Sequence, residues 1–388
     1  MKLIFDTVYG YIPYSNQETK FLDTSWVKRL KRIKQLGLLD HVFPSASHSR
    51  FEHSIGVSYL AEKYNEFLIR NSKNIDCSSD MKFCIKMAGL LHDAGHGPFS
   101  HVFDNIVIPS NCRKHEERSR DIVEYVFKEV GTSSGFTSAY NIDTIKEMIE
   151  PKTDIYLKNP LYNLVNNSVN SIDVDKLDYL QRDPRHIGLD YAFDPWRILN
   201  KSYIKENNII YSKSLVSNIL EMFRTRYRFH KDIYNHKTVK LIEVMIGDAL
   251  RNADTHYGFS SMNTEDLIEY DDSIYNQILF SKNKSLEKSK NILHRIEKRN
   301  LYKLVGWSEY SADEDQLNDL YDDKFSDHRK TDLRSVNMKF NFCNGTSSPL
   351  DRVKFDIDGS IKSGGELYTD KLMPAVYEEK TIMIYSTK

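Results

Sequence analysis

Cysteine is scarce in this chain, with four residues among 388, and no two of them form a CxxC pair. The four are Cys77, Cys84, Cys112 and Cys343. Such a sparse distribution excludes a disulfide framework and a zinc ribbon. It is typical of a reducing compartment, so we expect an intracellular, cytoplasmic protein, with the nucleus as the alternative.

Long apolar stretches and excess charge are also missing. No segment approaches the ~18 consecutive apolar residues of a membrane span, and the apolar run in the opening segment MKLIFDTVYGYIPY is too short for a signal peptide. Lys and Arg number 54 against 55 Asp and Glu, so no bulk field attracts nucleic acid or a membrane surface. We therefore expect no membrane partner. Nucleic-acid binding stays open, because net charge averages over any local basic pocket.

Apolar residues recur at helical spacing over much of the chain. Residues 18–36 place large apolar side chains at intervals of mostly three or four, which predicts an amphipathic helix. Further helices are predicted over residues 53–70, about 79–94, 167–183 (stopped by Pro184) and 214–253, the last with a bend in the segment RTRYRFHKDIYNHK.

Beyond about residue 330 the pattern changes to alternation, as in VKFDID and TIMIYS, which favours short strands. The predicted fold is mainly α, with a helical core and a small α+β portion at the carboxyl-terminal end. We expect residues 1–258 to form the catalytic domain with the long helices. Residues 259–388 are expected to form an α+β lobe that packs on the same core and contributes to oligomerisation.

The most informative segment is LLHDAGHGPFSHVFD, residues 90–104, which begins at the end of a predicted helix. Its adjacent His92 and Asp93 offer nitrogen and oxygen ligands, a combination that suits a divalent transition metal. His53 in RFEHS and Asp175 in IDVDKLDYLQRD lie on two other predicted helices. On a continued helix His96 would share a face with His92. Four ligands from three helices predict a metal site that keeps coordination positions open for water or substrate.

These motifs together resemble the HD-domain metal phosphohydrolases. With HSRFEHSIGV, DTSWVKRLKRIKQLG, FRTRYRFHKDIYNHK and EKRNLYKLVG, the chain is similar over nearly its whole length to the deoxynucleoside triphosphate triphosphohydrolases of the SAM-and-HD-domain type. We expect an HD-domain helical core and no counterpart of the SAM domain. The resemblance implies hydrolysis of a dNTP to deoxynucleoside and inorganic triphosphate, which would lower dNTP pools.

The resemblance also implies roles for individual residues. Water must attack the α-phosphorus, and the departing 5′ oxygen needs a proton, which an imidazole such as His96 can supply. The expected cofactor is Fe, Mn or Zn in the HD site, with Mg accompanying the substrate triphosphate. The implied metal ligands are His53, His92, Asp93 and Asp175, and the implied acid–base and supporting residues are His96, His115, Asp104 and Glu116.

Substrate binding is assigned in the same way. Arginine and lysine would hold the triphosphate, Gln35 and Asp183 would bond the 3′-OH, and Tyr234 under the sugar would leave no space for a 2′-OH. Few base contacts are expected, so several dNTPs should be accepted. The implied substrate-binding residues are Gln35, Leu36, Arg50, His101, Lys176, Tyr179, Asp183, Asn218, Arg226 and Tyr234.

Members of this family assemble as tetramers around nucleotide activators, so the resemblance implies a homo-oligomer, dimer or tetramer, with GTP and dNTPs as candidate partners. Several positions depart from the family pattern: Phe5 replaces an asparagine, and Ser212 and Ser214 replace basic residues. We therefore expect altered nucleotide dependence. The implied activator-binding residues are Lys2, Asp23, Arg299 and Lys303 in a guanine-nucleotide site and Val42, Arg197, His236 and Lys237 in its neighbour. Lys28 and Lys31 are further activator-binding candidates, at positions where the family has glutamine and arginine.

Two other functions remain open at this point. The first is another HD-type nucleotide phosphohydrolase, although the triphosphate-binding cations Lys176 and Arg226 argue against it. The second is a nucleotide-sensing or nucleic-acid-binding protein, which the neutral net charge disfavours.

Overall fold

The computed structural model describes residues 1–131, 138–190, 193–309, 332–367 and 376–388. The fold is mainly α with a few small sheets, as predicted. None of the helices in the described part of the chain combines the length and the apolar composition of a membrane span.

Side-chain caps define the starts of the principal helices. Ser49 accepts a hydrogen bond from the backbone N–H of Glu52, whose carboxylate accepts the N–H of Ser49 in return, a capping box. Asp173 caps a later helix by accepting from Lys176. The described helices are α1 (Asn16–Leu22), α2 (Ser25–Arg29), α3 (Arg50–Asn71), α4 (Ser79–Leu91), α5 (His115–Val130), α6 (Ala139–Ile149), α7 (Ile155–Lys158), α8 (Val174–Ile187), α9 (Pro195–Asn200), α10 (Val216–Arg228), α11 (Lys237–Tyr257), α12 (Ile274–Leu279), α13 (Glu287–Glu297) and α14 (Gly364–Leu367).

Three small sheets lie around the helices. An amino-terminal antiparallel hairpin pairs the first two strands, and the other two sheets have the orders β3-β4-β7-β8 and β5-β9-β6. Within the second sheet, the fourth and seventh strands pair in parallel. The strands are β1 (Lys2–Asp6), β2 (Gly10–Tyr14), β3 (Ser202–Lys205), β4 (Asn208–Ser212), β5 (Lys303–Glu309), β6 (Leu333–Asn341), β7 (Lys354–Ile357), β8 (Ser360–Ser363) and β9 (Glu378–Ser386).

One large hydrophobic core joins most of these elements. Helix α3 packs against both α4 and α8, and α11 packs against α13. Fully buried side chains come from the amino-terminal part, such as Leu60 and Leu90, and from the carboxyl-terminal part, such as Leu293 and Phe355. The core therefore holds α3, α4 and α8 in fixed register, and these three helices carry the predicted metal ligands or lead directly into them.

Some predicted boundaries were wrong. Residues 18–36 do not form one helix but α1, α2 and a 3₁₀ turn at Leu30–Arg32, because Thr24 and Ile33 have extended backbones that end each segment. Helix α8 begins at Val174 rather than near residue 167 and continues past Pro184 to Ile187. The predicted bend in the long helix is present, as a π-helical turn at Phe229–Tyr234 between α10 and α11.

Candidate metal and substrate site

A cavity of about 970 Å³ lies where α3, α8 and the segment following α4 meet α10, α11 and strand β6. The predicted residues that line it include metal ligands, histidines and phosphate-binding cations. They are Gln35, Leu36, Arg50, His53, Asp93, His96, His101, His115, Glu116, Asp175, Lys176, Tyr179, Asp183, Arg226 and Tyr234.

The four predicted metal ligands converge beside this cavity. Nε2 of His53 lies 3.0 Å from Oδ1 of Asp175 and 3.2 Å from Nε2 of His92. Nε2 of His92 lies 3.5 Å from Oδ1 of Asp93 and 3.6 Å from Oδ1 of Asp175. Ligands about 2.1 Å from a common ion at tetrahedral or octahedral angles are separated by roughly 3.0–3.5 Å. The side chains of His53, His92 and Asp175 therefore fit one divalent ion, and Asp93 lies beside this group.

The hydrogen bonds of the two histidines support the same fit. Nδ1 of His92 lies 2.9 Å from the carbonyl oxygen of Gly89, and Nδ1 of His53 lies 2.7 Å from a carboxylate oxygen of Asp178. Because both partners only accept, each Nδ1 donates, and two neutral rings would point Nε2 lone pairs at each other. Burial alone would lower the pKa of His53, but hydrogen bonds to Asp175 and Asp178 raise it to about 10. The pocket therefore favours positive charge between the rings.

The segment after α4 that brings Asp93 to this cluster is a turn, whereas the sequence indicated a continued helix. Helix α4 ends at Leu91, so the predicted helical face shared by His92 and His96 is wrong, and His96 lies beyond a turn. Nε2 of His96 still lies 3.4 Å from Oδ1 of Asp93, whose other oxygen accepts from Arg50. The turn needs glycine, since a Cβ on Gly95 would lie 2.2 Å from the carbonyl oxygen of His115.

Three histidines form a second group on the cavity wall. The rings of His96 and His115 stack with centroids 3.8 Å apart, and the ring of His101 lies 5.0 Å from that of His96. Asp104 accepts from Nδ1 of His115 at 2.6 Å and also pairs with Arg118. Burial, followed by the charge of Arg50, lowers the pKa of His96. His115 is therefore the member of this group that is hydrogen-bonded to a carboxylate outside the metal cluster, that of Asp104.

The predicted phosphate-binding cations Lys176 and Arg226 also line the cavity. Nζ of Lys176 lies 2.7 Å from Oδ2 of Asp173, and although burial lowers its pKa, the Asp173 charge raises it above the usual value. Nη1 of Arg226 donates to the carbonyl oxygen of Asn341 at 3.0 Å, while its Nε is buried without a hydrogen-bond partner. Both side chains thus present charge to the cavity.

The predicted sugar-binding residues are linked to one another. The hydroxyl of Tyr234 donates to Oδ2 of Asp183 at 2.6 Å, and the rings of Tyr234 and Tyr179 lie 6.4 Å apart. Nε2 of His48 lies 2.9 Å from Oδ1 of Asp183. The carboxylate is therefore held from both sides at the cavity wall.

Three of the predicted catalytic, substrate-binding and metal-binding residues, His92, Asp104 and Asn218, do not line the cavity. Asn218 instead exchanges hydrogen bonds with the backbone of Asp194, accepting its N–H at 2.8 Å and donating to its carbonyl oxygen at 2.7 Å. Its side-chain amide is therefore engaged with the segment that leads into α9. Asp104 lies behind His115 rather than on the surface of the cavity.

Sequence reasoning missed several residues at the site, among them His48, Asp178 and Asn235. His48 contacts Asp183, Asp178 contacts His53, and Asn235 lines the cavity. One signal for Asp178 was available, because it stands three positions after Asp175 on the same helix and so lies near it on the surface of α8.

The predicted activator-binding residues are only partly clustered. Asp23 is 3.2 Å from Nζ of Lys2 and 3.9 Å from Nζ of Lys28. Nζ of Lys31 lies 4.5 Å from the ring centroid of Phe51.

In the neighbouring predicted site, the ring of His236 lies 6.2 Å from that of Phe43, which follows Val42. Arg197 donates to the carbonyl oxygen of Ser214 at 3.2 Å. The side chains of this second group therefore make contacts within the chain that a nucleotide would have to accommodate.

Comparison with known proteins places these features in context. The HD domain matches residues 50–183, and the HD associated region matches residues 193–333. The chain is 34% identical over 403 residues to the deoxynucleoside triphosphate triphosphohydrolase SAMHD1 homolog of Dictyostelium discoideum, covering 99% of this chain and 77% of that protein. It is 33% identical over 443 residues to deoxynucleoside triphosphate triphosphohydrolase SAMHD1 of Gallus gallus, covering 99% and 72%. The putative HD domain-containing protein L394 of Acanthamoeba polyphaga mimivirus is 41% identical over 263 residues, covering 64% and 57%.

Proposed function

The chain belongs to the HD-domain deoxynucleoside triphosphate triphosphohydrolases, and from this premise we propose that it hydrolyses dNTPs to deoxynucleoside and inorganic triphosphate. One observation carries the proposal. The His/Asp cluster of α3, α8 and the end of α4 adjoins the same 970 Å³ cavity that is lined by Arg50, Lys176 and Arg226 and by the Asp183–Tyr234 pair. A site for an ion, cations for a polyphosphate and a sugar wall therefore share one enclosure.

Two metals serve this reaction in our proposal. His53, His92, Asp93 and Asp175 would hold a divalent transition metal, iron, manganese or zinc, and Mg would accompany the triphosphate. When bound in such a site, a divalent ion lowers the pKa of coordinated water and offsets negative charge on phosphate oxygens.

The polyphosphate would be positioned by the chain's own cations. Arg50 on α3, Lys176 on α8 and Arg226 on α10 supply charge from three helices, and the guanidinium groups can bind phosphate oxygens with two parallel hydrogen bonds. Held in this way, the α-phosphorus would face the metal cluster. The arrangement also favours a triphosphate over a monophosphate, since a monophosphate could not reach all three cations.

The leaving 5′ oxygen requires a proton from the histidine group. His115 is the member best arranged to hold one, because Asp104 accepts from its Nδ1 and Arg118 in turn holds Asp104. His96 stacks directly on the His115 ring, and Glu116 lies 3.3 Å from Nδ1 of His115. In this proposal His115 supplies the proton, and His96 and His101 bind the phosphates.

Sugar selection would rest on the linked pair Asp183 and Tyr234. Asp183 accepts a hydrogen bond from the 3′-OH, supported by Gln35. The Tyr234 ring lies against the sugar face that a 2′-OH would occupy. Leu36 and Tyr179 complete the wall near the base and sugar, and these few contacts would let the site accept several bases. The substrates are intracellular metabolites, so we place the protein in the cytoplasm.

Chromatographic separation of products tests the reaction. Each dNTP is incubated with the protein and Mn²⁺ or Mg²⁺, with and without GTP, and resolved by anion exchange. Deoxynucleoside and intact triphosphate are expected. The His92→Ala, Asp93→Ala double variant should be inactive, whereas His256→Gln, at an exposed histidine bonded to Asn283, should match the parent. Monophosphate with pyrophosphate, or single phosphates, would assign another HD-type reaction, and absence of turnover would favour nucleotide sensing or nucleic-acid binding.

Nucleotide regulation is a second part of the proposal. The Lys2–Asp23–Lys28 cluster adjoins an amino-terminal hairpin whose Phe5 and Tyr11 side chains are 65% and 69% exposed. An exposed aromatic pair next to a charged cluster suits a contact between subunits. We propose a homo-oligomer, dimer or tetramer, whose dependence on GTP or dNTP is altered.

A further inference from the structure

A buried ladder of charged side chains runs from the metal ligand His53 to the amino-terminal hairpin. Nδ1 of His53 contacts Oδ2 of Asp178 at 2.7 Å. Arg182, one turn further along α8, grips both oxygens of Asp178, from Nε at 2.8 Å and from Nη2 at 3.0 Å. Its third nitrogen, Nη1, donates to Oδ2 of Asp6 at 2.8 Å. The side chains of Asp178 and Arg182 are 0% exposed and that of Asp6 is 4% exposed.

The ladder ends in the turn of the hairpin. The other oxygen of Asp6, Oδ1, accepts the backbone N–H groups of Val8 at 2.8 Å and Tyr9 at 2.9 Å. Asp6 is the last residue of β1, and these two N–H groups belong to the turn that leads into β2. The conformation of this turn is therefore bonded to the same carboxylate that receives Arg182.

Helix α3 leaves room for the ladder at one position. A Cβ on Gly56 would lie 2.1 Å from Oδ1 of Asp178 and 2.2 Å from Nη2 of Arg182. Gly56 stands three residues after His53, on the same face of α3. The helix that carries the metal ligand thus also carries the space for the ion pair behind it.

Asp6 can influence His53 electrostatically, through Arg182 and Asp178, although it does not contact His53. The Asp178 carboxylate accepts a hydrogen bond from Nδ1 of His53, which would direct the Nε2 lone pair toward a bound ion and increase the basicity of Nε2. Arg182 also donates to the Asp178 carboxylate, so it competes with His53 for the negative charge of that carboxylate. In a buried site this competition is strong. Asp6 neutralises Arg182 from the other side, so Asp178 keeps more of its charge for His53.

We propose that Arg182 and Asp6 are positioning residues for the metal ligand His53, and that metal affinity depends on the Asp6 carboxylate that the hairpin turn presents to Arg182. This inference rests on the proposed function, because it takes His53 as a ligand of the divalent ion. Displacing β1 would withdraw Asp6, return the full charge of Arg182 to Asp178 and weaken the hydrogen bond that orients His53.

The hairpin has a second buried tie that provides the control. Nζ of Lys86 on α4 donates to the carbonyl oxygen of Pro13 in β2 at 3.2 Å and to Oε1 of Glu62 on α3 at 3.0 Å. This tie joins the same hairpin to the same helix without contacting His53 or Asp178. Glu62→Gln therefore weakens the ionic contact of Lys86 with a side chain that is 30% exposed and leaves every contact of the ladder in place.

Mn²⁺ affinity of the full chain, measured by isothermal titration calorimetry, tests the proposal, with thermal denaturation as a check of folding. Asp178→Asn is expected to weaken binding by roughly 10–100-fold, the usual cost of losing a partner of a ligating histidine. Asp6→Asn should weaken it by ~3-fold or more, Asp6→Glu should restore part of the loss, and Glu62→Gln should leave it unchanged even if the protein melts earlier.

Arg182→Lys is the second variant, since it keeps the charge but loses the planar fork; it should also weaken Mn²⁺ binding if Asp6→Asn does not fold. Equal Mn²⁺ affinity in the parent, Asp6→Asn and Arg182→Lys would overturn the inference and leave the proposed function intact. An equal loss in Glu62→Gln would overturn it too, by showing a general effect of hairpin loosening. A parent chain that binds neither Mn²⁺ nor Zn²⁺ would overturn the proposed metal site and this inference together.

Discussion

The Tyr234 hydroxyl donates a 2.6 Å hydrogen bond to Oδ2 of Asp183. The other oxygen of the same carboxylate lies 2.9 Å from Nε2 of His48, which is buried. An aspartate held from both sides has one orientation, and its remaining lone pairs face the cavity. The proposed sugar wall would therefore be preorganised before a substrate binds.

Removing the Tyr234 hydroxyl should separate two proposed roles of this residue, the positioning of Asp183 and the exclusion of a 2′-OH. Tyr234→Phe keeps the ring that would exclude a 2′-OH but frees one side of Asp183. We expect kcat/KM for dATP to fall about tenfold, as for loss of one hydrogen bond to a charged group, with ATP still rejected. Tyr234→Ala should also gain activity toward ATP. Steady-state kinetics with both nucleotides measures this.

Tyr203→Phe is the matched control, because Tyr203 donates to Asp356 at 2.7 Å in the β3-β4-β7-β8 sheet away from the cavity. Its kcat/KM should equal that of the parent. Unchanged kinetics in Tyr234→Phe would remove Tyr234 from the sugar wall.

Metal binding should stabilise the fold, because the ligands come from α3, α8 and the end of α4. Mn²⁺ at 100 times its Kd should add about 2.7 kcal/mol to the free energy of unfolding, and a chelator should reverse this and abolish hydrolysis. Differential scanning fluorimetry reports the shift. His92→Ala should lose it, whereas His256→Gln should keep it, and a chelator-insensitive melting temperature and turnover would contradict the predicted ligand set.

The Asp104 carboxylate should stabilise the protein in a pH-dependent way. Burial alone would raise its pKa, but the hydrogen bond from His115 and the charge of Arg118 hold the pKa far below the usual value. A folded-state pKa below the unfolded value of about 3.9 means that this stabilisation is complete above that pH and is lost as the pH falls through the folded-state pKa.

Asp104→Asn should therefore lower the free energy of unfolding at pH 7 by about 3 kcal/mol, since it leaves Arg118 buried and unpaired. Urea denaturation should show this difference shrinking below pH 4. The control is Glu124→Gln, whose side chain is 64% exposed in its pair with Lys146; it should change stability by less than about 0.5 kcal/mol. A constant difference between pH 7 and pH 3 would contradict the assignment.

Oligomeric state should respond to nucleotides. Sedimentation velocity with and without GTP and dNTPs should show a dimer or tetramer in at least one condition. Phe5→Lys should disfavour it by placing charge on the exposed aromatic face of the hairpin. Phe280→Lys, at a side chain that is 75% exposed elsewhere, should have no effect. A monomer under every condition would contradict the proposed assembly.

Local pattern determined much of what this protein is. Helical periodicity predicted the mainly α fold, and the residue types at His53, His92, Asp93 and Asp175 by themselves indicated a metal site. The motifs around them indicated the family, which the relatives confirm. These features were accessible because residue type and short-range spacing encode both helix faces and ligand chemistry.

Tertiary structure decided the rest. The sequence could not show that α8 continues through Pro184, that α4 ends before His96, or that Asn218 bonds a neighbouring segment, because core packing and hydrogen-bonding geometry overrule local preference. Least accessible was the ladder from His53 to Asp6, whose members are separated by up to 176 positions. Its buried charges are stable only because three elements fold around them, a relationship that chain order alone does not contain.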